Sequence, residues 1–311
     1  MATVNPQTRA NYEPNSWDPP GPREDPAAGF RSYPDGQAGQ AGPKRRLRPD
    51  SFADHYSQAR QFFASQDAVE RQHIIDAFVF ELSKCDKVAI RTRMVAGLRN
   101  VDENLARSVS DGLGLPGLPD PLPPTREPVR DLAPSPALSI LANGPGNFAG
   151  RKIGILVTNG ADAGKLGEIR SAAERERVNI ELIAPAVGGI EASDGKPVPA
   201  DQKIDGGPSV LYDAIVVLAS EPAIGALAAL PAARDFVTDA YAHCKFIGYA
   251  GDAAPLFGGA GLTSLIDDGF ISLNEHSAAD FISACATLRF WPRQASITQR
   301  ADAAKASADQ S

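Results

Sequence analysis

From residue 151 onward, short uninterrupted apolar runs alternate with stretches of helical period. Lys152–Val157 (KIGILV), residues 213–218 (DAIVVL) and residues 245–250 predict buried parallel strands, because a strand covered on both faces has no polar alternation. Asn179–Ala184 and a late run over 270–273 predict two more, while residues 166–177, 232–243 and 278–290 predict the intervening helices. Asp194-Gly195, between Ile190 and Val198, is a hairpin signal. Strands alternating with helices imply a parallel sheet with helices on both faces and right-handed crossovers.

The pattern before residue 115 is different. Residues 50–114 carry a helical period: Asp50-Ser51 is placed to cap a short helix through Arg60, and Asp67 with Glu70 has the spacing of a first-turn acidic pair. Val69, Ile74, Ala77, Phe78, Val79 and Leu82 then form a broad apolar face. Asp86 and Asn100 are the predicted N-caps of two further helices, Asn100 standing at capping-box spacing from Glu103, and Gly112 and Gly114 supply the stop.

Punctuation sets the remaining boundaries. Residues 1–49 hold 9 Pro and 5 Gly without a sustained period, which suits an extended arm, disordered on its own and ordered only against a partner surface. Residues 115–150 are Pro-rich and predict a semi-extended linker packed along the surface. The divisions expected are thus an arm (1–49), a helical subdomain (50–114), a linker (115–150), an α/β domain (151–293) and a disordered tail (294–311).

Charge narrows the partners. The chain carries −7 overall, and residues 1–150 hold 17 Lys and Arg against 18 Asp and Glu, so the excess acid sits in the second half. Neither half has the basic field that a phosphate backbone requires, and a nucleic-acid partner is not expected. The one basic cluster, Lys44-Arg45-Arg46-Leu47-Arg48, reads as a solvated or intersubunit loop. Cys85, Cys244 and Cys285 are widely spaced and odd in number, which predicts reduced thiols and a cytoplasmic protein. No apolar run approaches the roughly 20 residues needed to cross a bilayer, and MATVNPQTRA has no apolar core of a secretory signal.

Particular strings carry more than composition does. Arg9–Ser16 (RANYEPNS), Ser32–Pro34 (SYP), SFADHYSQARQFF from Ser51, FVFELSK ending at Lys84, and NVDENLARSVSD from Asn100 closely resemble, in this order, the segment after the haem-binding barrel in large-subunit haem catalases. Residues 151–293 resemble the additional C-terminal domain of that family, which implies a flavodoxin-like fold related to class I glutamine amidotransferase-like proteins. The resemblance implies hydrogen peroxide disproportionation, with a distal His and Asn over the haem and a proximal Tyr on the iron. Met1 stands only a few residues before the resemblance begins, so those catalytic groups are expected upstream of this sequence. The Arg-x-x-x-Tyr ligand motif is not matched: Arg9 is followed four positions later by Glu13, and Tyr12 belongs to NYEPN.

No residue is therefore assigned a catalytic, haem-binding or metal-binding role. His55 and His73 lie 18 positions apart without a ligand companion at metal spacing, and His243 and His276 lack ligand spacing too. Tyr33 and Tyr56 read as packing residues. Relatives of the α/β domain place a Cys nucleophile on a strand-to-helix elbow, but here Gly251 stands at the thiol position and Asp252 at the following His, so covalent catalysis is not expected. Cys244 lies at the wrong end of the strand. Ala219-Ser220-Glu221 lacks the Gly-Gly of an oxyanion loop, Thr158–Asp162 offers no glutamate to poise a thiolate, and Gly160-x-x-x-Gly164 reads as a plain β–α turn rather than a nucleotide site.

The expected function is that of the C-terminal segment of a large haem catalase, inactive alone, with the haem-barrel segment and further copies of itself as partners. Two other readings follow from the same sequence: a stand-alone chaperone-like module presenting the helical segment's apolar surface, and the docking half of a split catalase.

Overall fold

The computed structural model describes residues 48–308. The predicted arm therefore lies almost wholly outside the described residues, as do Tyr12, Tyr33 and most of the basic cluster. The chain divides into two units, residues 1–52 and 53–311. In the first, the Arg48 guanidinium stacks 4.7 Å from the Phe52 ring centroid.

Four helices open the second unit: α1 (Ser57–Ala64), α2 (Ala68–Ser83), α3 (Val88–Leu98) and α4 (Glu103–Gly112). The single helix expected from Asp50 through Arg60 is instead a 3-10 turn, Asp50–Ala53, followed by α1. Asp54 is the reason for the restart, since its carboxylate accepts the Ser57 N–H at 3.0 Å. Asp67 and Glu70 form a reciprocal capping box on α2, Asp67 being the N-cap itself. The predicted caps of α3 and α4 shift. Lys87, not Asp86, precedes α3, and Asp102, not Asn100, caps α4 by accepting from Leu105 N. Asn100 is buried and donates its amide to Leu122 O at 2.8 Å, while Glu103 pairs with Arg99. Phe63, Leu82, Val95, Leu98, Leu105 and Val109 make the core of this bundle; Ala77, placed on the apolar face by periodicity, is exposed.

Proline removes the linker's means of pairing with itself, and helix side chains take over. Val129 N donates to Ser57 Oγ and Ser135 N to Ser65 Oγ, both at 2.8 Å. Glu70 accepts from Ile140 N at 2.8 Å, Leu141 N at 3.1 Å and the Ser139 hydroxyl at 3.1 Å.

The α/β part runs β1 (Lys152–Val157), α5 (Ala163–Arg175), β2 (Asn179–Ala184), β3 (Ile190–Glu191), β4 (Pro197–Val198), β5 (Gln202–Lys203), β6 (Ala214–Leu218), α6 (Glu221–Ala229), α7 (Pro231–Ala242), β7 (Ile247–Ala250), α8 (Ala254–Gly259), β8 (Phe270–Ser272), α9 (Ala278–Ala284) and α10 (Gln294–Ala308). Six strands form one sheet in the order β5-β2-β1-β6-β7-β8, every pairing parallel, and β3 and β4 form the hairpin. This is the flavodoxin-like architecture. The pleat divides the core. Ile153, Ile155, Val157, Val216 and Leu218 face α5 and α9, while Leu156, Ile215, Val217 and Ile247 face α6, α7 and α8. Gly154 is required at its place, because a Cβ there would lie 2.5 Å from the Tyr212 ring.

Two helical ends differ from expectation. The helix predicted through residue 290 stops at Ala284, passes through a 3-10 turn and breaks at Leu288, whose φ is +66°. Residues 294–308, expected to be a disordered tail, are helical as α10: the run is rich in Ala and holds neither Gly nor Pro, so propensity favours the helix.

Lys245 enters the sheet floor almost fully buried, its ammonium donating to Tyr212 O at 2.6 Å and to Ser209 O at 2.5 Å. Burial pushes its pKa down to about 8 from 10.5. The unfolded chain then holds this proton more tightly than the native one, so the stability penalty of the buried charge is full below pH 8 and is relieved as pH rises toward 10.5. Thermal denaturation across that range should show a stabilising slope that Lys245→Met removes.

Candidate functional site

The C-terminal ends of β1, β6 and β7 carry the loops where this architecture places chemistry. β7 ends at Ala250, the chain turns at Gly251, and α8 begins at Ala254, so the strand–turn–helix elbow is present. Gly251 has φ +72°, and a Cβ at that position would approach Ala219 O at 3.0 Å. Gly251 N donates to Asn274 Oδ1 at 3.5 Å. The turn thus has the backbone geometry of a nucleophile elbow, and glycine leaves it without an attacking atom.

The neighbouring loops are bonded to one another. Ser220 Oγ donates to Asn159 O at 2.6 Å, and Ser220 N to Thr158 Oγ1 at 3.0 Å. Gly160 N donates to Glu191 O at 2.7 Å, Glu191 N to Asn159 Oδ1 at 2.9 Å, and Ala163 N to Ser193 Oγ at 3.0 Å. Asp162 caps α5 by accepting from Lys165 N. A phosphate cradle needs backbone donors aimed outward; here those of Gly160, Ala161, Ala163 and Lys165 are already taken within the fold.

The histidines are dispersed. His73 packs on the Trp291 ring at 5.6 Å, with Nε2 3.5 Å from Gln294 Oε1. His243 Nδ1 lies 2.7 Å from Asp239 O, and His55 sits edge-on to Tyr56. Among the described residues, no group of three or more His, Cys, Asp or Glu could hold a metal ion, and no described helix is long and apolar enough to cross a membrane.

Iron ligation in a haem catalase needs a phenolate. Tyr212 donates its hydroxyl to Glu181 at 3.1 Å, and burial and Glu181 push its pKa far up. Tyr241 OH lies 3.3 Å from Ser296 Oγ, and Tyr249 stands edge-on to Phe257 at 5.5 Å. Tyr56 is half-buried in the helical bundle, its hydroxyl close to Gly97. Each of the four is thus engaged within the fold through its hydroxyl or its ring.

All three cysteines are free, with Cys244 and Cys285 buried and Cys85 half-exposed. Burial pushes the thiols of Cys244 and Cys285 up, which disfavours the reactive thiolate. Native protein treated with an aromatic disulfide reagent should lose Cys85 first, and Cys244 and Cys285 should react at the rate of unfolding. Prompt labelling of either buried thiol would contradict this placement.

Lys245, Arg293 and Glu70 are buried charged side chains, and nothing in the sequence marks them as such, because a charged residue carries no pattern of its own burial.

The catalase-related immune-responsive family matches residues 49–113, and the C-terminal domain found in long catalases matches residues 149–295. The chain is 53% identical over 298 residues to Catalase C of Rhizobium meliloti (strain 1021), an alignment covering 96% of this chain and 42% of the relative. It is 39% identical to Catalase HPII of Pseudomonas putida over 92% of this chain and 40% of that protein. Catalase-B of Dictyostelium discoideum is 30% identical over 93% of this chain and 42% of its own length. The chain spans about two fifths of the length of these relatives.

Proposed function

Because this chain belongs to the long catalases and corresponds to their C-terminal part, we propose that it supplies the structural half of a haem enzyme that disproportionates hydrogen peroxide to water and oxygen, the haem being held by a separate barrel segment. The observation that carries this reading is the collinear match of both catalase segments, residues 49–113 and 149–295, to a chain whose elbow has Gly251 where a nucleophile would stand.

Support for a barrel partner comes from the helical bundle. Phe62, Phe80, Val88, Ile90 and Met94 are exposed on α1, α2 and α3, with Phe80 at 63%. Covering large apolar side chains is favourable by about 25 cal/mol per Å². A barrel seated there and a tetramer built around it would stabilise each other by mass action. The cytoplasm is the compartment that keeps three free thiols reduced.

The test uses the 311-residue chain with a separately produced catalase barrel segment and haem. Co-purification, a Soret band and oxygen release from peroxide are expected of the pair, and no oxygen release from this chain with haem alone. Robust turnover by the chain alone, or failure of the two to associate, would overturn the assignment. Suppression of client aggregation by the isolated chain would favour the chaperone-like alternative that the same exposed side chains support.

A further inference from the structure

We propose that a cavity at the N-terminal edge of the parallel sheet binds a small organic anion, a carboxylate or phosphate monoester carried on a planar apolar body. The cavity encloses about 630 Å³, within the range of roughly 300–1,000 Å³ typical of small-molecule sites. Three parts of the chain wall it. They are the end of the linker (140–146), the residues just before β1 and β6 (Arg151 and Asp213), and the turn after α9 that carries Leu288, Arg289 and Trp291. It lies at the opposite end of the strands from the Gly251 elbow, and it uses nothing of that site.

Charge selects an anion. Arg289 Nη1 donates to two carbonyls, Asp213 O at 3.1 Å and Leu288 O at 2.7 Å, neither of which neutralises it. The Asp213 carboxylate accepts from Lys152 N at 3.1 Å and stands 3.6 Å from Arg151 Nη1, and the cavity lining holds this one carboxylate against two guanidinium groups. Burial pushes the Arg289 pKa down, Asp213 offsets part of this and Arg151 adds to it. An oxyanion between the two arginines would balance the charge, and guanidinium groups suit planar, two-pronged recognition of carboxylate or phosphate.

The remaining wall selects an apolar body. Ile140, Leu141, Leu288 and Trp291 line it, and Ile140 is 73% exposed although it is aliphatic. The Trp291 indole N–H is also buried without an acceptor in the protein, a condition rare in native structures.

Isothermal titration calorimetry on the whole chain tests the proposal with 1-naphthoate, phenyl phosphate, inorganic phosphate and the neutral 1-naphthylmethanol. Saturable one-to-one binding of 1-naphthoate or phenyl phosphate is expected, with the stronger of the two identifying the anion. The neutral analogue should bind at least about tenfold more weakly, as expected for loss of a charge-assisted hydrogen bond. Arg289 also holds two backbone carbonyls, so its replacement could disturb folding. Arg151→Gln, half-exposed, and Ala142→Phe, on the exposed linker loop, are the informative variants. Each should weaken binding about tenfold or more while circular dichroism and melting stay unchanged. The proposal fails if neither aromatic anion saturates, if 1-naphthylmethanol binds equally well, or if both folded variants bind as the parent does. The site lies wholly within this chain, so its failure and failure of the barrel to dock are separate results.

Discussion

Arg293→Met should lower the unfolding free energy by about 3–5 kcal/mol in urea titrations, because it leaves a carboxylate without its counter-charge. The Arg293 side chain is wholly buried. Its Nε and Nη2 donate to the two Asp267 oxygens at 2.8 Å each, and Nη1 donates to Lys245 O at 2.7 Å. The guanidinium also lies over the rings of Tyr241, Phe270 and Phe290 at 4.9, 5.1 and 5.5 Å. One side chain thereby joins the start of α10 to β8, α7 and the floor of β7. Lysine cannot reproduce a bidentate, ring-stacked fork, so Arg293→Lys should recover little. The double variant Arg293→Met with Asp267→Asn removes the orphaned charge and should regain at least half of the loss. A cost below about 1 kcal/mol for the single variant would show that the pair contributes no more than a surface ion pair.

Glu70→Ala should release the linker from the helical bundle at a cost of about 2–3 kcal/mol, the range for leaving several donors of one charged acceptor unmatched. Loss of amide protection at Ile140 and Leu141 in hydrogen exchange is the direct readout. The same carboxylate makes the linker acid-sensitive. Burial raises the Glu70 pKa, but hydrogen bonds from Asp67, Leu141, Ser139 and Ile140 outweigh it, and the net direction is down from 4.5. A lowered carboxylate stabilises fully above its unfolded value, and the contribution disappears as pH falls from 4.5 through the folded value. Wild-type linker protection should fade across that acid range. Glu70→Gln should show weaker protection with no such pH dependence, and an unchanged profile would exclude Glu70 as the fastening point.

How much of this was legible depends on the scale at which each feature is determined. KIGILV and NIELIA give β1 and β2 to the residue, because continuous apolar runs bounded by turns leave few alternatives. After Glu221 the segment PAIGALAALP is apolar throughout, so no amphipathic period marks α6, and α8 is six residues with two glycines. Asn100 and Asp102 are equally good caps locally. The choice between them is made by Leu122, whose carbonyl claims the Asn100 amide from a distance of 22 positions. Gly251 could be read as a lost nucleophile from the sequence, whereas its retained left-handed turn could not. The anion cavity was invisible for a related reason: Leu141 with Arg151, Asp213 and Arg289 meet from three separate connections, and no spacing connects them.

The parallel sheet ends in two very short outer strands, β5 with two residues and β8 with three. So little free ladder offers almost no template on which a neighbouring chain could zip. Oligomers containing this polypeptide should therefore form by side-chain complementarity rather than by extending the sheet, which keeps assembly selective and makes fibrillar growth from this domain unfavourable.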